Sequence, residues 1–203
     1  MSSRDDILAS IRTNLPRVDR PLPRVPLFDD APPASLLEAF KVSLHRMGGE
    51  FLEAPTSGDV LAPVLAKIAD AKVVCSTVPE IAGNRDIAGV DAPRDLADVG
   101  FAIVRASFAV AETGSVLLSD ADLRVNAVAY LAQHLIVLLD PADIVLNLHH
   151  AYRRPEFRDR HYASFHTGPS ATADIEGVLI HGAQGVRSLF VLPVARAANS
   201  PPH

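Results

Sequence analysis

Residues 109–119, AVAETGSVLLS, set a carboxylate, hydroxyls and a glycine in the middle of an apolar run. Glu112, Thr113 and Gly114 separate Val110-Ala111 from Val116-Leu117-Leu118. A short apolar run of this kind reads as a buried strand, and a glycine within it marks a bend or a close approach to the backbone. A carboxylate there needs a partner or a chemical task. The alternative is a Glu turned to a strand edge and solvated, with Gly114 simply making a turn.

A second stretch, residues 166–176, reads HTGPSATADIE. It follows Tyr162-Ala163-Ser164-Phe165 and precedes a periodic run of Ile175, Val178, Leu179 and Ile180. Strand, tight Gly-Pro turn and helix is the parse, with Ser170 or Thr172 as N-cap and Asp174 and Glu176 in the first turn. Backbone amides at such a helix start receive an anionic ligand, unless Asp174 and Glu176 already satisfy the dipole. An ordinary, well-capped helix start stands as the alternative.

Taken together, the two stretches resemble one family. Ala109-Val110-Ala111-Glu112-Thr113-Gly114-Ser115 is similar to the AETGT signature of the lactate-utilization protein C family (LutC/YkgG), the LUD domain. Gly168-Pro169-Ser170-Ala171-Thr172-Ala173-Asp174-Ile175-Glu176 matches its GPSxTADIE signature. The closing Gly182-Ala183-Gln184-Gly185 and Leu189-Phe190-Val191-Leu192 resemble the family's C-terminal end, but Gln184 stands where His is usual and Val186 where Pro is usual. The resemblance runs from about residue 34 to 194. It implies a NagB/RpiA/CoA-transferase-like α/β fold and a part in oxidising L-lactate to pyruvate beside iron–sulfur partner subunits.

On that reading the chain carries no redox cofactor and is a substrate-handling or accessory component. A small carboxylate or phosphate binds between the two turns, at Thr113, Gly114, Ser115, Gly168, Pro169, Ser170, Thr172, Asp174 and Glu176. A reading from another class is an independent CoA-transferase- or isomerase-like enzyme. In the CoA-transferase-like superfamily a Glu followed by one residue and then a Gly, at a strand end, is the nucleophile; Glu112-Thr113-Gly114 is similar, and carboxylates do form acyl intermediates. A third is a purely structural or regulatory module.

Other chemistry is poorly served. Cys75 is the single cysteine, whereas an iron–sulfur cluster needs several thiolates. His149 and His150 are adjacent, so on a helix they point about 100° apart; His161 and His166 fall on opposite strand faces, and no metal is expected. Ser115 lacks the G-x-S-x-G elbow of a hydrolase. Neither G-x-G-x-x-G nor G-x-x-x-x-G-K-[ST] occurs, so no dinucleotide or nucleotide fingerprint is present.

The elements that would position these residues follow from periodicity. Residues 2–15 read as an amphipathic helix with Ile7, Leu8, Ile11 and Leu15 on one face, docking on its own domain or a sister chain, which would make a homo-oligomer. Pro16, Pro21, Pro23, Pro26, Pro32 and Pro33 mark a stiff linker. The chain thus divides into residues 1–33, a LUD domain over 34–194 and a frayed tail over 195–203. Within the domain, helices are expected over 36–47, near 60–68, over 123–131, after Pro141 and after Ser170. Strands are expected over 50–53, 72–76, 101–105, 115–118, 134–139, 162–166 and 189–194. Continuous apolar strands alternating with helices predict an α/β fold, a mostly parallel sheet with helices on both faces.

Composition agrees with a globular chain: 203 residues, 48% hydrophobic and 21% charged. The net charge of −5 and scattered basic residues argue against nucleic acid. No apolar run approaches the ~20 residues of a membrane span, so a cytoplasmic protein is expected.

Overall fold

The computed structural model describes residues 3–16, 21, 23–174, 176–182 and 185–196. Helix α1 (Ser3–Asn14) forms where the periodicity predicts it, and none of its residues is buried, so its apolar face is not covered by the described residues. Helix α2 (Leu36–Arg46) starts at Ser35, whose Oγ accepts from Glu38 N at 3.3 Å. It buries Phe40 and Leu44. Gly48, at φ 82°, and Gly49 end it by donating back to the carbonyls of His45 and Leu44.

Strand β1 (Glu50–Phe51) follows, then α3 (Ala62–Ile68), whose start is set by Pro63 in its first turn. Strands β2 (Val74–Ser76) and β3 (Phe101–Arg105) come next, then β4 (Phe108–Val110) and β5 (Ser115–Ser119). Two one-turn helices, α4 (Asp120–Leu123) and α5 (Val128–Leu131), lead to β6 (His134–Leu139). After β7 (Ile144–Val145) come α6 (Leu148–Ala151), α7 (Pro155–Arg158) and β8 (Ala163–His166). Strands β9 (Ala171–Thr172), β10 (Ile180–His181) and β11 (Ser188–Pro193) complete the chain.

The central sheet runs β1-β11-β6-β3-β2 with every neighbour parallel. From β1 the chain crosses the whole sheet to β2, then returns strand by strand through β3, β6 and β11. Right-handed crossovers in opposite directions fall on opposite faces. So α3 covers one face through Val64, packed with Ile103, Ile136 and Leu192. The other face, with Ala102, Val104 and Val137, is covered by α2, α4, α5 and a second sheet.

That second sheet, ordered β7-β4-β5-β8, is the main departure from a single parallel sheet. β4 pairs antiparallel with β5, and β5 with β8; only β7 and β4 are parallel. Ala109, Val116 and Leu118 face the main core, while Phe108, Val110 and Leu117 face an outer cluster with Ala151 of α6 and Phe157 of α7. With both faces buried there is no polar alternation, so the hairpin reads as one apolar run.

Three expected helices are corrected. The helix over 123–131 is broken at Arg124, which takes φ 59°. After Pro141 the Asp140 cap forms, with Oδ1 accepting from Ala142 N at 2.9 Å, but the turn stops after Asp143. There Ile144 and Val145 pair with Ala109 and Val110, and strand pairing overrides the cap. The helix after Ser170 is absent: Ala171 and Thr172 pair antiparallel with His181 and Ile180. Thr172 Oγ1 donates to Asp174 Oδ2 at 3.0 Å and accepts from Asp174 N at 3.3 Å, a local turn instead of a helix cap. Glu176 and Gly177, both at positive φ, keep the chain out of a helix. Ile175 and Gln184 lie outside the described residues.

No helix among the described residues is long and apolar enough to cross a membrane. Arg196, within the stretch expected to fray, is held: its N donates to Asp140 Oδ2 at 2.7 Å and its Nε to Asp143 Oδ2 at 2.9 Å.

Candidate functional site

The β4–β5 hairpin turn carries Glu112, Thr113 and Gly114. Its backbone is pinned on one side by Ala111 N to Val145 O at 2.9 Å and Glu112 N to Leu146 O at 3.0 Å. On the other side Ser43 Oγ of α2 donates to Glu112 O at 3.1 Å. Gly114 closes the turn at φ 70°, and a Cβ there would overlap the backbone of Leu44. β8 is antiparallel to β5 and so runs in the sense of β4. The two turns therefore leave the second sheet at the same end.

They meet through hydroxyls. Thr113 Oγ1 and Ser115 Oγ are 2.7 Å apart, and Ser115 Oγ and Thr167 Oγ1 are 2.5 Å apart. Gly168, at φ 85°, is buried, and a Cβ there would overlap Met47 O. Pro169 lies over Gly48, its Cδ 3.3 Å from where that residue's Cβ would stand. Both turn glycines thus approach the C-terminal end of α2: backbone of its last turn fills the space next to Gly114, and backbone of the residues that follow it fills the space next to Gly168. Ser170 N donates to Val186 O at 2.9 Å, tying the second turn to the segment before β11.

Glu112 faces elsewhere. Its carboxylate is exposed and Oε2 accepts from Leu148 N, at the start of α6, at 3.2 Å. It lines a cleft of about 230 Å³ with Phe28, Ala31, Ala39, Ser43 and Asn147. Thr113, Ser115, Gly168, Pro169 and Ser170 do not line it, and Thr172, Asp174 and Glu176 sit on the β9–β10 ribbon. Among the described residues the cleft lining holds no Lys, Arg or His, and on those residues it complements a neutral or cationic group better than an anion.

The linker supplies the outer wall of this cleft, a role the sequence reading missed. Asn147 Nδ2 donates to Leu27 O at 2.7 Å and to Phe28 O at 3.2 Å. Its Oδ1 accepts from His150 N at 3.1 Å and caps α6. The Phe28 ring packs on His149, centroids 4.7 Å apart, and Asp29 lies 3.6 Å from His150 Nε2. The adjacent histidines thus hold the linker, one through each ring. The only advance signal was Asn147 as an N-cap type just ahead of Leu148.

Beside the second turn, His166 packs on Tyr130 with centroids 5.2 Å apart, and its buried Nε2 has no partner. Burial pushes its imidazole down to about 4. The Tyr130 and Tyr162 hydroxyls are hydrogen-bonded, and Tyr130 Oη donates to Ser164 Oγ at 3.1 Å. Burial, with the Tyr130 bond second, pushes Tyr162 up to about 12. Cys75 is buried, and burial raises its thiol. Among the described residues no cluster of three or more His, Cys, Asp or Glu side chains is placed to hold a metal ion.

Residues 81–194, which contain both turns and every strand from β3 to β11, match the model of the LUD domain. The chain belongs to the LUD domain family. That family is associated in general with lactate utilization. A solved structure, that of a DUF162 family protein from Deinococcus radiodurans, is similar over 85% of this LUD chain and 100% of its own, with a TM-score of 0.57. At 15% identity it speaks for the fold alone. No curated protein matches the chain.

Proposed function

We propose that this LUD protein is a lactate-utilization protein C-like component of an iron–sulfur lactate-oxidising system. Oxidising L-lactate to pyruvate removes two electrons and two protons, and the electrons need a carrier. One cysteine, buried in the core, leaves this chain without the thiolates that a cluster requires, so the iron–sulfur partners take the electrons. The observation that carries the reading is the junction of the two signature turns, Thr113-Gly114-Ser115 and Thr167-Gly168-Pro169, within the LUD region. Its hydroxyl chain and paired glycines hold one end of the second sheet on α2, and Glu112 is presented outward from that rigid base.

An acyl-transfer reading with Glu112 as nucleophile draws on the same exposed carboxylate. The cleft before it, about 230 Å³, is below the roughly 300–1,000 Å³ of small-molecule sites, which favours the accessory role.

The test is complementation of a deletion strain that has no other lactate dehydrogenase. The parent gene restores growth on L-lactate, and growth on pyruvate never depends on it. Glu112→Gln keeps an acceptor for Leu148 N, so it melts within about 3 °C of the parent yet fails to restore growth on lactate. Parental growth of the Glu112→Gln strain removes Glu112 from the function. Growth of the deletion strain itself on lactate removes the lactate role.

A further inference from the structure

A second opening, about 600 Å³, lies at the carboxyl edge of the central sheet. Ser76 and Thr77 bring the end of β2 to it, Arg105 the end of β3, and Arg196 the residues after β11. In open parallel sheets this edge is where ligands bind. Neither signature turn reaches it.

Its chemistry is set by three guanidiniums. Arg105 is paired with Glu80 and donates to Val194 O at 2.9 Å. Arg196 is fixed by Asp143 and by the carbonyls of Ala106 and Ser107, at 2.9 and 3.0 Å. Arg124 differs: it lines the opening, is exposed and has no ion pair among the described residues. Asp122 Oδ2 accepts from Ser107 Oγ at 2.7 Å, Ser119 N at 2.8 Å and Ser119 Oγ at 2.7 Å, which locks α4 two residues before Arg124. Arg124 itself takes φ 59°, a conformation unfavourable for any residue with a Cβ. A strained backbone holding an unpaired cation at a cavity is a recurring mark of a ligand contact. Thr77 adds a buried hydroxyl oxygen without a hydrogen-bond partner.

We propose that this cavity is an anion site for the phosphate or carboxylate of an organic molecule of nucleotide size, engaged by the Arg124 fork. A guanidinium matches both oxyanions with two parallel hydrogen bonds. The volume falls in the middle of the range for cofactor-sized ligands, and a three-carbon acid fills only a small part of it. The inference does not depend on the lactate role, which growth tests; this one is read on purified protein.

Calorimetric titration of the full chain with ADP, inorganic pyrophosphate and L-lactate, in about 0.1 M salt to limit loose surface binding, tests it. ADP binds most tightly, pyrophosphate more weakly and L-lactate least. Arg124→Gln weakens ADP at least tenfold, and Arg124→Lys recovers only part of the loss. Arg124→Gly melts above the parent, because glycine relieves the positive φ, and still loses ADP; a purely structural arginine would not separate the two readouts. No binding of ADP or pyrophosphate by the parent, unchanged affinity in Arg124→Gln, or L-lactate as the tightest ligand each overturns the proposal.

Discussion

Ser115 and Thr167 are separated by 52 positions in the chain, yet their hydroxyl oxygens lie 2.5 Å apart and join the two signature turns. Neither hydroxyl points into the cleft at Glu112. The relationship makes the junction a fastening of β5 to the end of β8, set on the C-terminal end of α2.

The fastening is measurable as a coupling. Ser115→Ala costs about 1–2 kcal/mol in urea unfolding, since it takes the partner from both Thr113 and Thr167; Thr167→Val costs less, about 0.5–1 kcal/mol, because Ser115 keeps its bond to Thr113. The double variant costs less than the sum by about 0.5–1.5 kcal/mol. Strict additivity would mean that the two hydroxyls do not bond in solution.

The turn glycines make a comparison with built-in controls. Gly114→Ala and Gly168→Ala combine a positive φ with overlap on backbone, that of α2 at Gly114 and that of Met47 just after α2 at Gly168, so each costs about 3 kcal/mol or more. Gly58→Ala and Gly177→Ala carry positive φ with open space around them and cost about 1–2 kcal/mol. Equal losses at all four sites would show that α2 does not press on the turns.

His166 gives stability a pH dependence of known sign. Its folded value, about 4, lies below the ordinary 6.5, so the unfolded chain binds the proton first. Stability is therefore level above about pH 6.5 and falls as pH drops toward 4, by about 3 kcal/mol over the window. His166→Leu removes this component and flattens the profile there. An unchanged slope in the variant would place the titration on another group.

Where periodicity, caps and breakers act locally, the sequence was sufficient. The helix expected over 36–47 forms as α2, the one near 60–68 as α3, and the apolar runs at 134–139 and 189–194 become central strands because both faces are covered. The two signature stretches were legible for the same reason, as polar residues and glycines breaking apolar runs. Length, charge and a single cysteine also bound the chemistry.

Tertiary pairing decided the rest. Thr172 and Asp174 are good cap types, but Ala171 and Thr172 found strand partners at His181 and Ile180, which the local sequence does not announce. Ile144 and Val145 left the Pro141 turn for β4 in the same way. Most of all, the neighbours of Gly114 and Gly168 are Leu44 and Met47, at the end of a helix from a remote part of the chain. A positive φ and room for close approach are properties of the glycine itself; which group makes the approach is set by how α2 packs, and that depends on contacts across the whole fold.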